Sequence, residues 1–202
     1  MRDYFVHPTC VVEEGVRIGA GSRIWCFCHL QRGSAVGKWC SLGQNVNLGD
    51  RVKIGNFVKI QNNVSVYEGV ELEDGVFCGP SCVFTNDLTP RSEYPKGHAS
   101  YQKTLVRRGA TIGANATVLC GNTVGRWAMV AAVVTHSLPD HALAAGNPAR
   151  QVGWVCRCGE KLGPNLACAA CGRRYRRNGP GLCEAAQAPA PDNSLEAVQE
   201  KL

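Results

Sequence analysis

The sequence predicts an all-β fold, a parallel β-helix built from six-residue units. Stepping by six from Val6 to Phe84 meets fourteen residues, and all of them are apolar. The residue four places after each of the first thirteen is small or β-branched, as at Cys10 and Val16. A helix period of 3.6 or a strand alternation of 2 does not give this spacing, whereas a hexapeptide repeat does. Three units then close one coil of about eighteen residues, with the apolar step residues facing inward.

The repeat stops after Phe84 and resumes at Val106. Because this gap of 22 residues is not a multiple of six, the intervening segment is predicted to leave the coils as an external loop over 85–105. Its residues are polar and turn-forming, as at Asn86, Pro90 and Gly97. A long loop on a rigid scaffold is more often functional than not, so this segment is the first place to look for a site.

Five cysteines occupy inward positions of the repeat, and we expect them to act as small hydrophobes rather than to form disulfides. They are Cys10, Cys28, Cys40, Cys78 and Cys82.

A second region, 151–177, has two close cysteine pairs and is predicted to be a small zinc-ribbon-like module. Cys156 and Cys158 form the first pair, and Cys168 and Cys171 form the second. Four thiolates in a reducing compartment suit a closed structural Zn²⁺ site. The first pair has an unusually short spacer, so Cys183 is an alternative ligand, and free thiols are the competing interpretation.

The positive charge is concentrated in the same region. The chain carries a formal net charge of +6, and Arg150 to Arg177 contains seven basic residues against Glu160 alone. This is typical of a solvated basic edge, which we favour over a nucleic-acid surface. The segment 178–202 is predicted to be a linker followed by a short helix with Ser194 as its N-cap.

The sequence has no apolar run of eighteen residues, and the N-terminus "MRDYFVHP" lacks the features of a signal peptide. These observations predict a cytoplasmic protein with no membrane span.

Several stretches carry a family resemblance. "IWCFCHL", "CSLGQNVNLG", "VKIQNNVSVYEGVELEDGVFCGPSCVFTND", "TLVRRGATIGANATVLCGNTVG" and "HALAAGNPARQVGW" resemble the hexapeptide-repeat N-acetyltransferases of nucleotide-linked 3-amino sugars. These motifs are most similar to those of the UDP-2-acetamido-3-amino-2,3-dideoxyglucuronate enzymes, and next to those of the dTDP-3-amino-3,6-dideoxyhexose enzymes. The similarity covers about residues 4 to 155, so the cysteine-rich region lies outside it.

This resemblance implies a left-handed β-helix that transfers acetyl from acetyl-CoA to the 3-amino group of the sugar. It further implies a homotrimer with active sites between subunits, serving bacterial surface-polysaccharide synthesis such as that of lipopolysaccharide O-antigen. An amine with a pKa near 8 is already about one-tenth neutral at pH 7, so no strong base is required. Positioning of the amine and stabilisation of the oxyanion can supply most of the rate.

Two residues are candidates for the catalytic step. By resemblance, Asn86 lies near the sugar amine, which its amide can orient; the alternative is an Asx-turn that starts the loop. His29 falls at a corner and projects toward a neighbouring subunit, where it can bind substrate or assist proton transfer. A hydrogen-bonded interface histidine is the alternative for His29, and His98 in the loop has no assigned role.

Further polar residues lie off the step positions on consecutive coils: Gln44, Asn45, Gln61, Asn62, Tyr67 and Glu68. They are candidates to line one substrate groove. The alternative is that they are polar corner residues, which need no ligand. Guanidinium groups for a diphosphate or a sugar carboxylate are offered by Arg91, Arg107 and Arg108, unless they only face solvent. By resemblance, CoA lies along the later coils, near Ala128, Val134, Gly146, Asn147 and Arg150. The stretch "GNPAR" has the alternative role of a turn that ends the β-helix.

Two rival classes share this architecture: a non-catalytic scaffold, and a metal-dependent hydratase like the γ-class carbonic anhydrases. The hydratase is disfavoured because the five histidines include no coil-spaced pair. A scaffold has no need of the long loop. The sequence does not distinguish a UDP-linked from a dTDP-linked acceptor.

Overall fold

The computed structural model describes residues 3–185, in which short strands alternate with turns and wind into a parallel β-helix. Each of the first sixteen strands pairs with the strand three places further along the chain. Phe5 pairs with Arg23 and Lys59 with Phe77, an offset of eighteen residues in both cases. The six-residue unit and the three-unit coil are thereby confirmed.

The coils present three faces. The first face contains β1 (Phe5–Val6), β4 (Arg23–Ile24), β7 (Ser41–Leu42), β10 (Lys59–Ile60), β13 (Phe77–Cys78), β16 (Thr111–Ile112) and the start of β19 (Met129–Val134). The second face contains β2 (Val11–Val12), β5 (His29–Leu30), β8 (Asn47–Leu48), β11 (Ser65–Val66), β14 (Val83–Phe84), β17 (Thr117–Val118) and the end of β19. The third face contains β3 (Arg17–Ile18), β6 (Ala35–Val36), β9 (Lys53–Ile54), β12 (Val70–Leu72), β15 (Thr104–Val106) and β18 (Thr123–Val124).

The core is the stack of step residues inside these faces. From Ile24 to Val130 every step residue is at most 5% exposed. The first coil differs: Val12 is 43% exposed, while Val6 and Ile18 are only partly buried. The inward residues of the first coil are therefore incompletely buried, because no described coil packs against its outer side.

Four of the five inward cysteines are buried, as expected of small hydrophobes: Cys28, Cys40, Cys78 and Cys82. Burial raises the pKa of Cys28 to about 12 and that of Cys40 to about 11, so both thiols stay protonated. Cys10 is only half-buried and donates to the carbonyl of Trp25 at 2.8 Å. All twelve cysteines of the chain are free thiols.

The coil interrupted after Phe84 is longer than the others. Val70 pairs with Thr104 and Phe77 with Thr111, an offset of 34 residues where other coils have eighteen. Residues 85–103 lie between β14 and β15 and contain a single 3-10 turn, His98–Ser100. The expected end of the loop at 105 is two residues late, because Thr104 and Leu105 already pair with the preceding coil.

After the last coil the chain forms β20 (Ala142–Gly146), which runs parallel to β19, and β21 (Arg150–Trp154), which returns antiparallel to it. The cysteine-rich module follows and ends in a hairpin of β22 (Tyr175–Asn178) and β23 (Gly181–Glu184). The prediction of a linker from 178 is wrong for its first residues. Gly179 and Pro180 form a tight turn, Gly179 at φ +55°, and the chain then pairs back. The predicted helix at Ser194 lies outside the described residues.

Across residues 3–185, no helix has the length and apolar character needed to cross a bilayer.

Candidate active site

The predicted substrate residues lie on three different corners of the β-helix. We call the corner between the first and second faces the first corner, that between the second and third the second corner, and the remaining one the third corner. The first corner carries Gln44, Asn45, Gln61 and Asn62; the second carries Tyr67, Glu68, Asn86 and Arg91; the third carries Arg107 and Arg108.

A single groove for these residues within one chain is therefore wrong. A step of eighteen returns to the same corner, so Gln44 lies above Asn62, whereas a step of six moves on to the next corner, from Asn62 to Glu68.

Asn86 lies where the loop leaves the second corner. Its side chain is half-buried and makes no hydrogen bond to the residues that the structure describes, while its main-chain carbonyl accepts the Gln102 N–H at 2.9 Å. The neighbouring Asp87, not Asn86, forms the Asx-turn: its Oδ1 accepts the Thr89 N–H at 2.8 Å and also the Lys96 ammonium. The main chain of Asn86 is therefore fixed by the bond from Gln102, and its side-chain amide is available to bind a ligand.

Glu68 occupies the equivalent position on the preceding coil, since Ser65 pairs with Val83 and each residue lies three places further on. Its Oε2 accepts a hydrogen bond from Nδ1 of His98 at 2.6 Å, and its Oε1 is bound by Arg51. The His98 hydrogen bond, supported by Arg51, lowers the pKa of Glu68 although partial burial opposes the shift.

His98 is the polar residue of this corner that sequence reasoning left without a role. Its imidazole is 72% exposed and stacks edge-on against Tyr101, with the ring centroids 5.3 Å apart. Nδ1 is held by Glu68, so Nε2 faces outward. No local pattern gives this contact, because the loop brings together residues thirty positions apart.

The expectation that His29 falls at a corner is wrong, because His29 begins strand β5 of the second face. Its Nε2 contacts Oε1 of Glu13 at 2.7 Å. Glu13 also accepts the Arg32 N–H, and these bonds lower the pKa of the carboxyl, the His29 bond most. Three strand spacings separate His29 from Val83, about 14 Å at the usual distance between paired strands. The structure therefore does not bring His29 and Asn86 together within one chain.

The first corner holds a cavity of about 310 Å³ lined by Gln44, Gln61 and Asn62 together with Trp25. Some of these amides also support the coils: Oδ1 of Asn62 accepts the Gln44 N–H at 3.0 Å. Asn45, in the left-handed region at φ +59°, donates to Asn63 on the next coil at 3.2 Å. Gln61 lines the cavity without such a bond to any described residue, which leaves its amide available.

The three arginines do not converge. Arg91 is exposed in the loop and donates to the Pro90 carbonyl at 3.0 Å. Arg108 lines a cavity with Glu73, whose carboxylate accepts its backbone N–H at 2.8 Å. Arg107 lines a separate cavity of about 520 Å³ beside Asp140 and the cysteine-rich module, and its Nε is buried with no partner in residues 3–185.

Of the residues expected to meet CoA, Ala128 and Val134 are fully buried. Their carbonyls are also occupied, by the N–H groups of Thr111 at 2.8 Å and Leu119 at 3.0 Å. These two positions offer little to a ligand because they form the last turns of the ladder.

Gly146, Asn147 and Arg150 are exposed around the turn between β20 and β21. Gly146 adopts φ +96°, and Arg150 donates to the Ala149 carbonyl at 3.2 Å.

In the module, the Sγ atoms of Cys156, Cys158, Cys168 and Cys171 all lie within 4.8 Å of one another. Cys183 lies on β23 and is not a member of this group.

Comparisons with known proteins place the chain among sugar acyltransferases. It is 48% identical to dTDP-3-amino-3,6-dideoxy-alpha-D-galactopyranose 3-N-acetyltransferase of Aneurinibacillus thermoaerophilus over 177 residues, which cover 85% of this chain and 90% of the relative. A shorter match of 44% over 46 residues joins it to an acyl-[acyl-carrier-protein]–UDP-N-acetylglucosamine O-acyltransferase of Brucella ovis, covering 23% of this chain and 16% of that protein. No protein-family model matches the chain.

Among solved structures, the chain resembles a point mutant of AntD, an N-acyltransferase from Bacillus cereus in complex with dTDP-4-amino-4,6-dideoxyglucose and coenzyme A. The TM-score is 0.50 with 16% identity, over 73% of this chain and 78% of that one. At this identity the likeness supports the β-helical fold alone.

Proposed function

Because the chain belongs to the hexapeptide-repeat sugar N-acetyltransferases, we propose that it moves acetyl from acetyl-CoA to the 3-amino group of a nucleotide-linked 3-amino sugar. The observation that carries this proposal is the 48% identity spread over 90% of a relative whose name specifies the 3-amino position. The acetylated product is a building block for bacterial surface polysaccharide.

The first candidate acceptor is a dTDP-linked 3-amino-3,6-dideoxyhexose, which that relative's name favours. The second is UDP-linked 2-acetamido-3-amino-2,3-dideoxyglucuronate, which the sequence motifs resemble most. Besides its nucleotide and its 2-acetamido group, the second acceptor carries a carboxylate that the first lacks, and a carboxylate is best met by a guanidinium. Of the three candidate arginines, only Arg91 belongs to the second corner, as Asn86 does. Its guanidinium is therefore the proposed partner of a uronate carboxylate.

In the proposed reaction, the side-chain carbonyl of Asn86 accepts an N–H of the neutral sugar amine and aims its lone pair at the thioester. A carbon–nitrogen bond forms and the carbon–sulfur bond to CoA breaks. The nitrogen then loses one proton, and the departing CoA sulfur takes it to leave as a thiol. An amide suits this task because it orients the amine without competing for its proton.

His98 is the alternative to the CoA sulfur as the group that takes this proton. Glu68 holds its Nδ1, a contact that orients the ring. If His98 takes the proton, His98→Gln lowers kcat by on the order of 100-fold and removes a basic group from the pH profile. If kcat is unchanged, the proton goes to sulfur. His7→Gln, which removes an imidazole on the first coil that has no assigned role, is the control in the same assay.

The corners also suggest why a homotrimer is needed. Asn86 and the Gln61 cavity lie on different corners of one chain, so a sugar that meets both must lie between two chains. A threefold assembly repeats that contact three times and closes it. CoA is placed against the later coils near the exposed Gly146, Asn147 and Arg150.

The experiment measures release of the CoA thiol from acetyl-CoA with a panel of dTDP- and UDP-linked 3-amino and 4-amino sugars. Rapid release with one 3-amino sugar, and none with its 3-hydroxy analogue, supports the proposal and names the acceptor. Release only with 4-amino sugars overturns the assignment of the 3-position. A chain that binds no CoA and releases no thiol would be a non-catalytic scaffold.

A further inference from the structure

The four sulfurs of the cysteine-rich module converge on one point rather than forming two separate pairs. Close contacts run between the pairs, 3.4 Å from Cys156 to Cys171 and 3.6 Å from Cys158 to Cys168. A disulfide has sulfurs about 2.05 Å apart, and none is present in the chain. Four sulfurs about 2.3 Å from a tetrahedral Zn²⁺ are instead about 3.8 Å from one another. The observed upper separation of 4.8 Å is close to that arrangement.

The backbone shapes each cysteine pair in the same way. After the first pair, Gly159 adopts φ +97° and donates its N–H to the Cys156 carbonyl at 2.9 Å. After the second, Gly172 adopts φ +73° and donates to the Cys168 carbonyl at 3.0 Å. Only glycine takes this left-handed conformation without strain. Both turns aim their two sulfurs at the same space, although the spacers differ in length.

The module has little else to hold it together. Its buried cluster consists of only five residues, two of which are cysteines of the group: Cys156, Leu162, Cys168, Tyr175 and Leu182. A unit of this size is far below the chain length that a hydrophobic core alone normally stabilises, and small units of this kind use disulfides or a metal instead. With all cysteines free, a metal is the remaining cross-link.

From this geometry we propose that Cys156, Cys158, Cys168 and Cys171 bind one Zn²⁺ ion that fixes the module as a cap on the last coil of the β-helix. Binding converts the thiols to thiolates and releases their protons to solvent. Four sulfur ligands fill the tetrahedron, so the ion has a structural role and no open position for substrate.

The contacts of the cap explain what the ion would stabilise. The phenol of Tyr175 lies 3.1 Å from Sγ of Cys156, and the Tyr175 ring packs on His141 of the last coil with centroids 4.7 Å apart. His141 is buried, its Nδ1 donates to the Val155 carbonyl at 2.9 Å, and Val155 donates back to the His141 carbonyl. The proposed zinc ligand Cys156 is thus connected through Tyr175 to His141 at the end of the β-helix.

Covering this end has a physical reason. A solenoid ends in an apolar core and an unpaired edge, which need a terminal cap to stay soluble and folded. The Leu182 N–H reaches the Asp140 carbonyl at 3.2 Å, and the guanidinium of Arg157 stacks on Trp127, 4.7 Å from its ring centroid. These contacts depend on the module keeping its shape.

The test is the metal content of the full chain, purified without added metal and measured by inductively coupled plasma mass spectrometry. One zinc per chain is expected. Cys158→Ser and Cys171→Ser should reduce it to near zero, and Cys158 is exposed, so its replacement leaves the packing intact. Cys183→Ser is the matched control and should keep one zinc. Absence of zinc from the wild type, iron in its place, or equal zinc in Cys158→Ser overturns the proposal.

A second measurement remains valid if a variant folds poorly. The zinc-depleted wild-type chain is titrated with Co²⁺ alone, and tetrahedral thiolate ligation should give strong visible absorption that saturates at one equivalent. Limited trypsin digestion then follows the cap, which carries Arg173, Arg174, Arg176 and Arg177. Zinc removal should speed cleavage there at least tenfold and leave the coils intact. Equal cleavage with and without zinc overturns the capping role.

Discussion

At the residue scale, Asn86 offers an amide that no described residue uses. Replacing it by alanine keeps the backbone bond from Gln102 but removes the group that we propose orients the amine. We expect Asn86→Ala to lower kcat by on the order of 100-fold, the usual effect of losing alignment at a reacting centre. Steady-state kinetics with the preferred acceptor measure it.

The control for this variant is Gln102→Ala, which changes the neighbouring side chain and leaves the same backbone bond in place. Its kcat should stay within twofold of the wild type. An unchanged kcat in Asn86→Ala would reduce Asn86 to a residue that only begins the loop.

Glu68 gives a prediction for pH. Its pKa is lowered in the folded protein from the usual 4.5, first by His98, so the contact stabilises the loop above pH 4.5. That contribution is lost as the pH falls through the lowered folded value, where the carboxyl becomes protonated. Because such exposed contacts contribute about 0.2–1 kcal/mol, amide protection near His98–Ser100 should fall by a factor of about 1.4 to 5.

Hydrogen exchange, corrected for the intrinsic rate at each pH, measures this change. Glu68→Gln should show the lower protection already at pH 6 and little further change on acidification. If the wild type and Glu68→Gln lose protection in parallel, another group holds the loop.

At the scale of the element, each corner of the β-helix depends on residues that tolerate the left-handed conformation. Gly109 turns the third corner at φ +70°, and a Cβ there would lie 2.1 Å from the ring of Trp127. Gly109→Ala should destabilise the fold by about 1–2 kcal/mol from backbone strain alone. It should also move Trp127 off the guanidinium of Arg157, which joins this corner to the cap.

Thermal unfolding followed by tryptophan fluorescence measures both effects. Gly97→Ala serves as the control, because a Cβ at Gly97 meets nothing within 4 Å and its φ of −79° is ordinary. A midpoint for Gly109→Ala that matches the control would mean that Trp127 moves aside without loss.

The elements themselves were predictable because the repeat is local. Each strand of two residues buries its step residue against the coils beside it, so a count of six locates Ile24, Leu72 or Ile112 without knowledge of anything distant. The same count assigns Asn62 and Glu68 to different corners because they are six residues apart, so the single groove was avoidable. The return of His98 to Glu68 was not predictable, because no local pattern links residues thirty positions apart. The hairpin at 175–184 was missed because its first strand is polar and basic and its turn resembles a linker.

At the scale of the whole molecule, the separation of the corners makes a sharp prediction about assembly. If each active site joins the second corner of one chain to the first corner of the next, two inactive variants can complement each other. Asn86→Ala damages the second corner, and Gln61→Trp fills the cavity of the first. Each variant alone should be nearly inactive, with a mass in solution three times 21.7 kDa.

When the two variants are unfolded, mixed in equal amounts and refolded together, chains assemble at random. A contact is intact only where a Gln61→Trp chain supplies the second corner and an Asn86→Ala chain supplies the first. That arrangement occurs at about one contact in four of a cyclic trimer, so about a quarter of wild-type activity should return. Asn86→Ala refolded with Asn86→Leu is the control and should recover none, because every contact then has a damaged second corner. Mixed trimers that stay inactive would overturn a site shared between chains. Wild-type activity of Gln61→Trp on its own would show instead that the cavity at Gln61 has no part in the reaction.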